Sequence, residues 1–141
     1  AMLPFCGYNM GDYWQHWLDM GQKIAHQPKI FNVNWFRTND EGHFLWPGFG
    51  DNLRVLEWIM KRCFDEVGAV ESPIGWLPRP EDIDLEDSGV DLATLQSLLS
   101  VDRDLWKEDV AGVKEFYGKF GDKLPAELSR QLETLERNLD A

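Results

Sequence analysis

The sequence predicts a mixed α/β fold with a few strands and a helix-rich C-terminal half. Residues 92–141 place apolar side chains at helical spacing in successive stripes. The side chains of residues 29–36 alternate between two faces instead, which is the pattern of a strand. A chain of 141 residues, 43% of them hydrophobic, is long and apolar enough to bury a core, so we expect one compact lobe.

The first predicted elements are a helix and a strand. Aromatic and aliphatic residues over 12–24 follow a mostly helical pattern, with Asp12 as its N-cap, and Pro28 stops this helix. The alternating residues 29–36 form the predicted strand, and a turn-forming stretch follows them. We therefore expect this strand to pair with residues 43–46 in a hairpin-like unit.

A second helix is predicted to start at Asp51 or Asn52, because apolar residues recur at helical spacing as far as Cys63. We place Cys63 in the core of this helix. Residues 68–91 hold three prolines, glycines and an acidic run, so we predict a loop there with one short extended piece, Ile74–Leu77. The remainder is predicted to be helical.

Charge and cysteine content limit the class of protein. The net charge of −11 disfavours a nucleic-acid partner, although residues 23–62 carry six basic against four acidic side chains. No segment approaches the roughly 20 apolar residues of a membrane helix, so no membrane partner is expected. Cys6 and Cys63 have no CxxC partner, which fits a reducing, cytoplasmic location without a disulfide scaffold or zinc site.

The most informative run is Phe44-Leu45-Trp46-Pro47-Gly48-Phe49-Gly50-Asp51-Asn52. A ring between two glycines at a sharp turn suits stacking on a flat nucleobase, and each such stack contributes roughly 1–3 kcal/mol. A carboxamide at the start of the following helix offers both donors and an acceptor to a base edge. The alternative is an ordinary capped helix after a tight turn, with Phe49 packed on a neighbour. For Phe36 and Phe44, too, the alternative to a place in the binding site is packing in the core.

Three segments, Ala1–Asn9, Pro28–Arg37 and Phe44–Asn52, closely resemble the C-terminal part of the GTP-dependent phosphoenolpyruvate carboxykinases. The resemblance is specific through about residue 62 and looser beyond it. It implies a single piece of the nucleotide-binding C-terminal lobe over 1–141. Within it, the resemblance assigns guanine recognition to 1–66, a loop to 67–91 and a helical part to 92–141.

The resemblance also implies a reaction and a site. Members of the family are carboxy-lyases of gluconeogenesis that convert oxaloacetate and GTP into phosphoenolpyruvate, GDP and carbon dioxide with Mn²⁺ and Mg²⁺. Their guanine pocket is lined by phenylalanines, and their base choice depends on an asparagine. The matching positions here are Phe36, Phe44, Phe49, Gly50, Asp51 and Asn52, with Phe5 matching an aromatic near the substrate. Asp51 is a departure, since Glu is more often expected there.

The family's phosphate loop, metal ligands and substrate arginines match nothing in this chain and are expected upstream of Ala1. The apolar start of the sequence fits the same expectation of a piece of a longer protein. We therefore expect no catalytic residue and no metal ligand here, and an isolated chain without activity. The expected partners are a guanine nucleotide and the remainder of the same enzyme, which is monomeric when whole, whereas the piece is open to self-association.

Two other classes of function remain as alternatives at this point. Clustered aromatics with local positive charge are typical of proteins that bind single-stranded nucleic acid. The tryptophan-rich helix over 12–24 suits a protein-interaction module instead.

Overall fold

A computed structural model describes residues 2–141 and confirms the predicted mixed α/β class with a helix-rich C-terminal half. Three short 3₁₀ turns, at Leu3–Phe5, Pro80–Asp82 and Gly121–Lys123, connect the elements. The helices and strands are α1 (Met10–Lys23), α2 (Asn52–Cys63), β1 (Val70–Ser72), β2 (Gly75–Leu77), α3 (Leu92–Leu99), α4 (Arg103–Gly118) and α5 (Ala126–Asp140).

The described residues form two compact units. The first runs up to Gln27 and resumes over Asp102–Ala141, so it contains α1, α4 and α5. The second covers Pro28–Val101 and contains α2, the two strands and α3. No helix within residues 2–141 is both long enough and apolar enough to cross a membrane.

Helix α1 begins two residues before the predicted start. Asn9 is the N-cap, because its Oδ1 accepts a hydrogen bond from the Gly11 backbone N–H at 2.8 Å. Asp12, the predicted cap, lies in the first turn instead, where its negative charge suits the helix dipole. Its carboxylate also receives Lys123 Nζ at 3.3 Å.

An aromatic cluster holds α1 against the end of α4. The Trp14 ring meets Phe116, Tyr117 and Phe120 edge to face, with centroid distances of 6.1, 5.7 and 4.6 Å. Edge-to-face pairs at such distances are favourable beyond the area that they bury. These rings are therefore used for packing within the first unit.

Helix α2 confirms the predicted start at Asn52, but it buries a different face from the one expected. Trp58 is buried, whereas Cys63, predicted to be in the helix core, is exposed. Leu53, Leu56 and Met60 are exposed as well. Both sides of this helix are apolar, and the second unit covers only the side that carries Trp58.

The core of the second unit is built around two tryptophans. Trp46, Trp58, Ile83 and Leu95 form one buried cluster. Phe31 packs edge to face on Trp58, with a centroid distance of 6.0 Å. Residues from the segment before α2 thus contribute directly to the core.

The predicted strand over 29–36 is wrong, although its alternation is present. The segment is not part of a sheet in the described residues, yet Phe31, Val33 and Trp35 are half-buried while Phe36 is exposed. Period-two burial needs only an extended chain lying on a core, whereas a strand also needs a hydrogen-bonded neighbour. The alternation predicts the orientation of the side chains correctly but does not supply a pairing partner.

The predicted hairpin is reduced to a bridged turn. A single antiparallel bridge joins Thr38 to Phe44. The Leu45 N–H donates to the Arg37 carbonyl at 2.9 Å on one side of this bridge. The pairing therefore lies just after the segment that was predicted to contribute the strand.

The region predicted as a loop contains the only sheet among the described residues. Gly75–Leu77 falls within the extended piece predicted at 74–77, but it pairs antiparallel with Val70–Ser72, which was assigned to the loop. Gly75 has φ of +123°, a conformation that a side chain rarely adopts. Strands of three residues are too short to show a periodic pattern, which explains the missed partner.

Candidate functional site

The bridged turn brings two of the predicted site residues together. The rings of Phe36 and Phe44 lie 6.0 Å apart between centroids and are tilted by 59°. Their exposed fractions are 71% and 65%, so neither ring is used in the core. The structure therefore presents an adjacent pair of benzyl rings to solvent.

Asparagine side chains, rather than apolar packing, shape the backbone that carries this pair. Asn34 Oδ1 accepts the backbone N–H of Phe36 at 2.9 Å. Asn39 Oδ1 accepts the N–H groups of Glu41 at 3.1 Å and His43 at 2.9 Å. Such side-chain caps fix a turn without burying it.

Arg37 joins the bridged turn to α3. Its Nη1 donates to the carbonyl oxygens of Leu98 at 2.7 Å and Ser97 at 3.1 Å. These carbonyls belong to the last turn of the helix, where the usual donors four residues ahead are missing, and the Ser97 carbonyl also accepts from the N–H and hydroxyl of Ser100. The guanidinium thus stabilises the position of the ring pair, and these contacts compete with any use of it for binding phosphate.

The guanidinium of Arg54, at the start of α2, is also hydrogen-bonded within the protein. Its Nε donates to Asp51 Oδ1 at 2.8 Å, and its other nitrogens donate to the carbonyls of Asp84 at 2.9 Å and Glu86 at 2.6 Å. The carboxylate of Asp51 is therefore paired within the protein. This network holds the acidic loop against the beginning of α2.

Phe49 is the most exposed of the predicted rings. Its exposed fraction is 96%, and it contacts no other ring within residues 2–141. The preceding Gly48 has φ of +103°, and its carbonyl accepts the N–H of Asp51 at 3.0 Å. A side-chain carbon placed on Gly50 would meet nothing within 4 Å, so the turn is open to an approaching molecule.

Asn52 is the first residue of α2, and its side chain is hydrogen-bonded to a buried tryptophan. Its Oδ1 accepts a hydrogen bond from the indole Nε1 of Trp46 at 2.9 Å. Asp51, at the N-cap position, accepts no backbone N–H of the helix with its side chain. The exposed ring of Phe49 therefore lies three residues before a helix start that no side chain caps.

The remaining predicted residue lies in the other compact unit. Phe5 ends the 3₁₀ turn Leu3–Phe5 and is exposed, whereas Phe36, Phe44 and Phe49 belong to the second unit. The structure therefore brings together Phe36 and Phe44, and separately joins Asp51 to Arg54 and Asn52 to Trp46.

The described residues do not fit a metal ion. No group of three or more His, Cys, Asp or Glu side chains within residues 2–141 is arranged to hold one. Stable sites for divalent cations need several such ligands at bonding distance. The Mn²⁺ and Mg²⁺ implied by the resemblance have no ligand set in this part of the chain.

Sequence reasoning missed the residues that support the site. Trp46 lies inside the informative run, but its bond to Asn52 was not predicted. A signal was available, because a buried indole N–H usually takes an acceptor and a carboxamide follows six positions later. The role of Arg37 had no such signal, since its partners are backbone carbonyls 60 and 61 residues away.

Comparisons with known proteins agree with the resemblance. The chain matches the family model of the phosphoenolpyruvate carboxykinase C-terminal P-loop domain over residues 1–138. Proteins named phosphoenolpyruvate carboxykinase (GTP) are 48% identical in Treponema pallidum and 47% identical in Chlamydia caviae, each across 99% of this chain. The protein of that name from Neocallimastix frontalis is 47% identical across the whole chain.

These relatives are much longer than the chain. It spans 23% of the Treponema pallidum protein and 24% of the other two, or about a quarter of the relatives that it matches. The similarity nevertheless extends along almost every residue of the chain, including both compact units. With a family model covering nearly its full length and relatives close to half identical, the chain belongs to the GTP-dependent phosphoenolpyruvate carboxykinase family.

Proposed function

We propose that the chain supplies the guanine-binding surface of a GTP-dependent phosphoenolpyruvate carboxykinase. In this reaction oxaloacetate and GTP give phosphoenolpyruvate, GDP and carbon dioxide. Phe36, Phe44 and Phe49 contact the base, and Gly50, Asp51 and Asn52 supply polar contacts or close approach. Phe5 belongs near the substrate. The setting is the cytoplasm, and the partner is the remainder of the enzyme.

The observation that carries this proposal is the exposure of three phenylalanine rings on short, hydrogen-bonded turns. Exposed apolar rings are costly in water unless a partner covers them, and a nucleobase is flat and apolar on both faces. Stacking of a base on one aromatic side chain contributes about 1–3 kcal/mol. The Phe36–Phe44 pair and the solitary Phe49 offer such surfaces within one compact unit.

Phosphate and metal binding are assigned to the rest of the enzyme in this proposal. Arg37 and Arg54 are both occupied by backbone carbonyls. Phosphoryl transfer depends on metal ions and on groups that cradle the phosphates. We therefore expect the isolated chain to bind GTP or GDP weakly through the base and to produce no phosphoenolpyruvate in a coupled assay.

Nucleotide titration of the isolated chain, followed by NMR, tests the proposal. GDP is expected to bind better than ADP. Phe49→Ala should weaken binding of both nucleotides by about 5- to 150-fold, which corresponds to 1–3 kcal/mol of stacking. Asn52→Ala should reduce mainly the preference for GDP, because it removes a hydrogen-bonding group that faces one base edge.

Phe64→Ala is the matched control. Phe64 is an exposed phenylalanine of the same unit, but it follows the far end of α2. This variant should bind GDP as the unmodified chain does. Equal weakening by Phe64→Ala and Phe49→Ala, or equal binding of GDP and ADP by the unmodified chain, would overturn the proposal.

A further inference from the structure

We propose that Trp46 determines base choice by orienting the Asn52 carboxamide, an inference that rests on the proposed function. Trp46 is a positioning residue here, since its side chain is buried and only its effect on Asn52 reaches the ligand. The contact is the hydrogen bond from the indole Nε1 to Asn52 Oδ1 at 2.9 Å.

The chemistry of the indole leaves one orientation of the carboxamide. An indole N–H donates and never accepts, whereas a carboxamide has an oxygen that accepts and an NH₂ group that donates. Rotating the Asn52 amide by half a turn would bring two donors together and break the bond. Trp46 therefore holds Oδ1 toward the core and turns Nδ2 away from it.

The Nδ2 group is open to a ligand. It makes no hydrogen bond within residues 2–141, and it is not among the buried polar atoms that lack a partner there. An amide NH₂ in this position offers a donor beside the turn that carries Phe49. The complementary group on a purine is an acceptor.

Guanine and adenine differ at the group that such a donor reads. Guanine carries the acceptor O6 at the position where adenine carries the donor N6–H₂. A carboxamide held with Nδ2 outward thus favours guanine and opposes adenine. Opposite this same substituent, the reverse orientation would present an acceptor, which repels O6 and suits N6–H₂, so the indole N–H selects between the two purines without contacting either.

Trp58 shows that this hydrogen bond is not a general requirement of the core. Trp46 and Trp58 are both 5% exposed and belong to the same buried cluster. The Nε1 of Trp58 nevertheless has no hydrogen-bond partner within the described residues. The two tryptophans therefore share their burial and differ in the hydrogen bond, so a comparison of the two separates the bond from the packing.

The two tryptophans, Trp46 and Trp58, allow a matched experiment on the isolated chain. Trp46→Phe and Trp58→Phe each keep an aromatic ring and remove one indole N–H. The ratio of the ADP to the GDP dissociation constant, measured by NMR titration, should fall toward one in Trp46→Phe by about fivefold or more. Trp58→Phe should keep the ratio of the unmodified chain, and thermal unfolding reports the stability of both.

Asn52→Asp tests the inference without altering the core. The carboxylate still accepts the Trp46 N–H, so the indole resonance should remain where it is in the unmodified chain. It has no donor for O6, so the preference for GDP should disappear. This variant gives an answer even where Trp46→Phe fails to fold.

The outcomes separate the two proposals. A chain that binds neither nucleotide, or binds both equally, overturns the proposed function and this inference together. A chain that prefers GDP and keeps that preference in folded Trp46→Phe overturns the inference alone. A preference kept in Asn52→Asp overturns the inference together with the role of Asn52 in base choice, while the stacking of the base on Phe49 would stand.

Discussion

The aromatic cluster of the first unit and the turns of the second unit place phenylalanine in opposite environments. In the first unit, Phe116 and Phe120 pack with Trp14, and Phe120 is only 6% exposed. In the second unit, Phe36 and Phe49 lie in solvent on short turns. The same residue type thus packs in the aromatic cluster of the first unit and lies exposed on the turns of the second.

The difference comes from the backbone that carries each ring. Phe116 lies on α4, whose apolar face meets another helix, and burial of a side chain of this size is strongly favourable. Phe36 instead follows the half-buried Trp35 in a turn that the Asn34 side chain caps, and its ring points into solvent. Aromatic content alone therefore does not identify a binding surface, whereas its placement on a capped turn does.

Paired truncation of one ring from each unit should show the largest difference. Phe120→Ala is expected to lower the free energy of unfolding by about 3–5 kcal/mol, because it leaves a cavity in the aromatic cluster. Phe49→Ala should change it by less than about 0.5 kcal/mol, since the ring contacts little. Urea unfolding of both variants measures this, and comparable losses would remove the distinction between the units.

Two glycines extend the comparison to the backbone. An alanine methyl at Gly11 would lie 2.1 Å from the Lys123 carbonyl oxygen, so Gly11→Ala should cost about 1–3 kcal/mol of stability. Gly50→Ala meets nothing within 4 Å and should cost less than about 0.5 kcal/mol. Thermal unfolding compares them, and a stable Gly11→Ala would contradict the close approach of α1 to Lys123.

Removal of a surface ion pair should have the smallest effect on stability, and the effect should be similar in the two units. The hydrogen bond and charge of Lys29 hold the pKa of Asp65 below its ordinary value, and Lys107 does the same for Asp140 in the first unit. A lowered folded-state pKa adds stability above the ordinary carboxyl pKa, and this stability is lost as pH falls through the lowered value.

Asp65→Asn and Asp140→Asn should therefore be slightly less stable than the unmodified chain at pH 7 and should converge with it below about pH 4. Urea midpoints measured across this range report the effect. A deficit that persists unchanged in acid would show that these carboxylates do not act through their charge.

The elements that could be predicted are those with strong local signals. The start of α2 was predicted because a Pro-Gly-Phe-Gly turn precedes apolar residues at helical spacing. The strand at 29–36 was wrong because alternation reports burial and not hydrogen-bonded pairing. The exposed face of α2 was also missed, since both of its sides are apolar and spacing alone does not say which one is covered.

The candidate site likewise contains residues that could be predicted from the sequence and residues that could not. Phe44, Phe49 and Asn52 lie within nine consecutive residues and Phe36 lies eight residues before them, so the motif and the resemblance reveal them. Arg37 bonds to carbonyls on α3, and that contact depends on the folded chain. Sequence reasoning thus identifies groups that contact a ligand more readily than groups that hold them in place.

In the proposed function, exposed phenylalanines of the second unit cover the base of a guanine nucleotide. The most direct measurement is an intermolecular NOE experiment on the chain with labelled phenylalanine and bound GDP, assigned with Phe36→Leu, Phe44→Leu and Phe49→Leu. We expect contacts from the guanine H8 proton to these rings. Contacts to Phe116 or Phe120 instead, or to no phenylalanine at all, would contradict it.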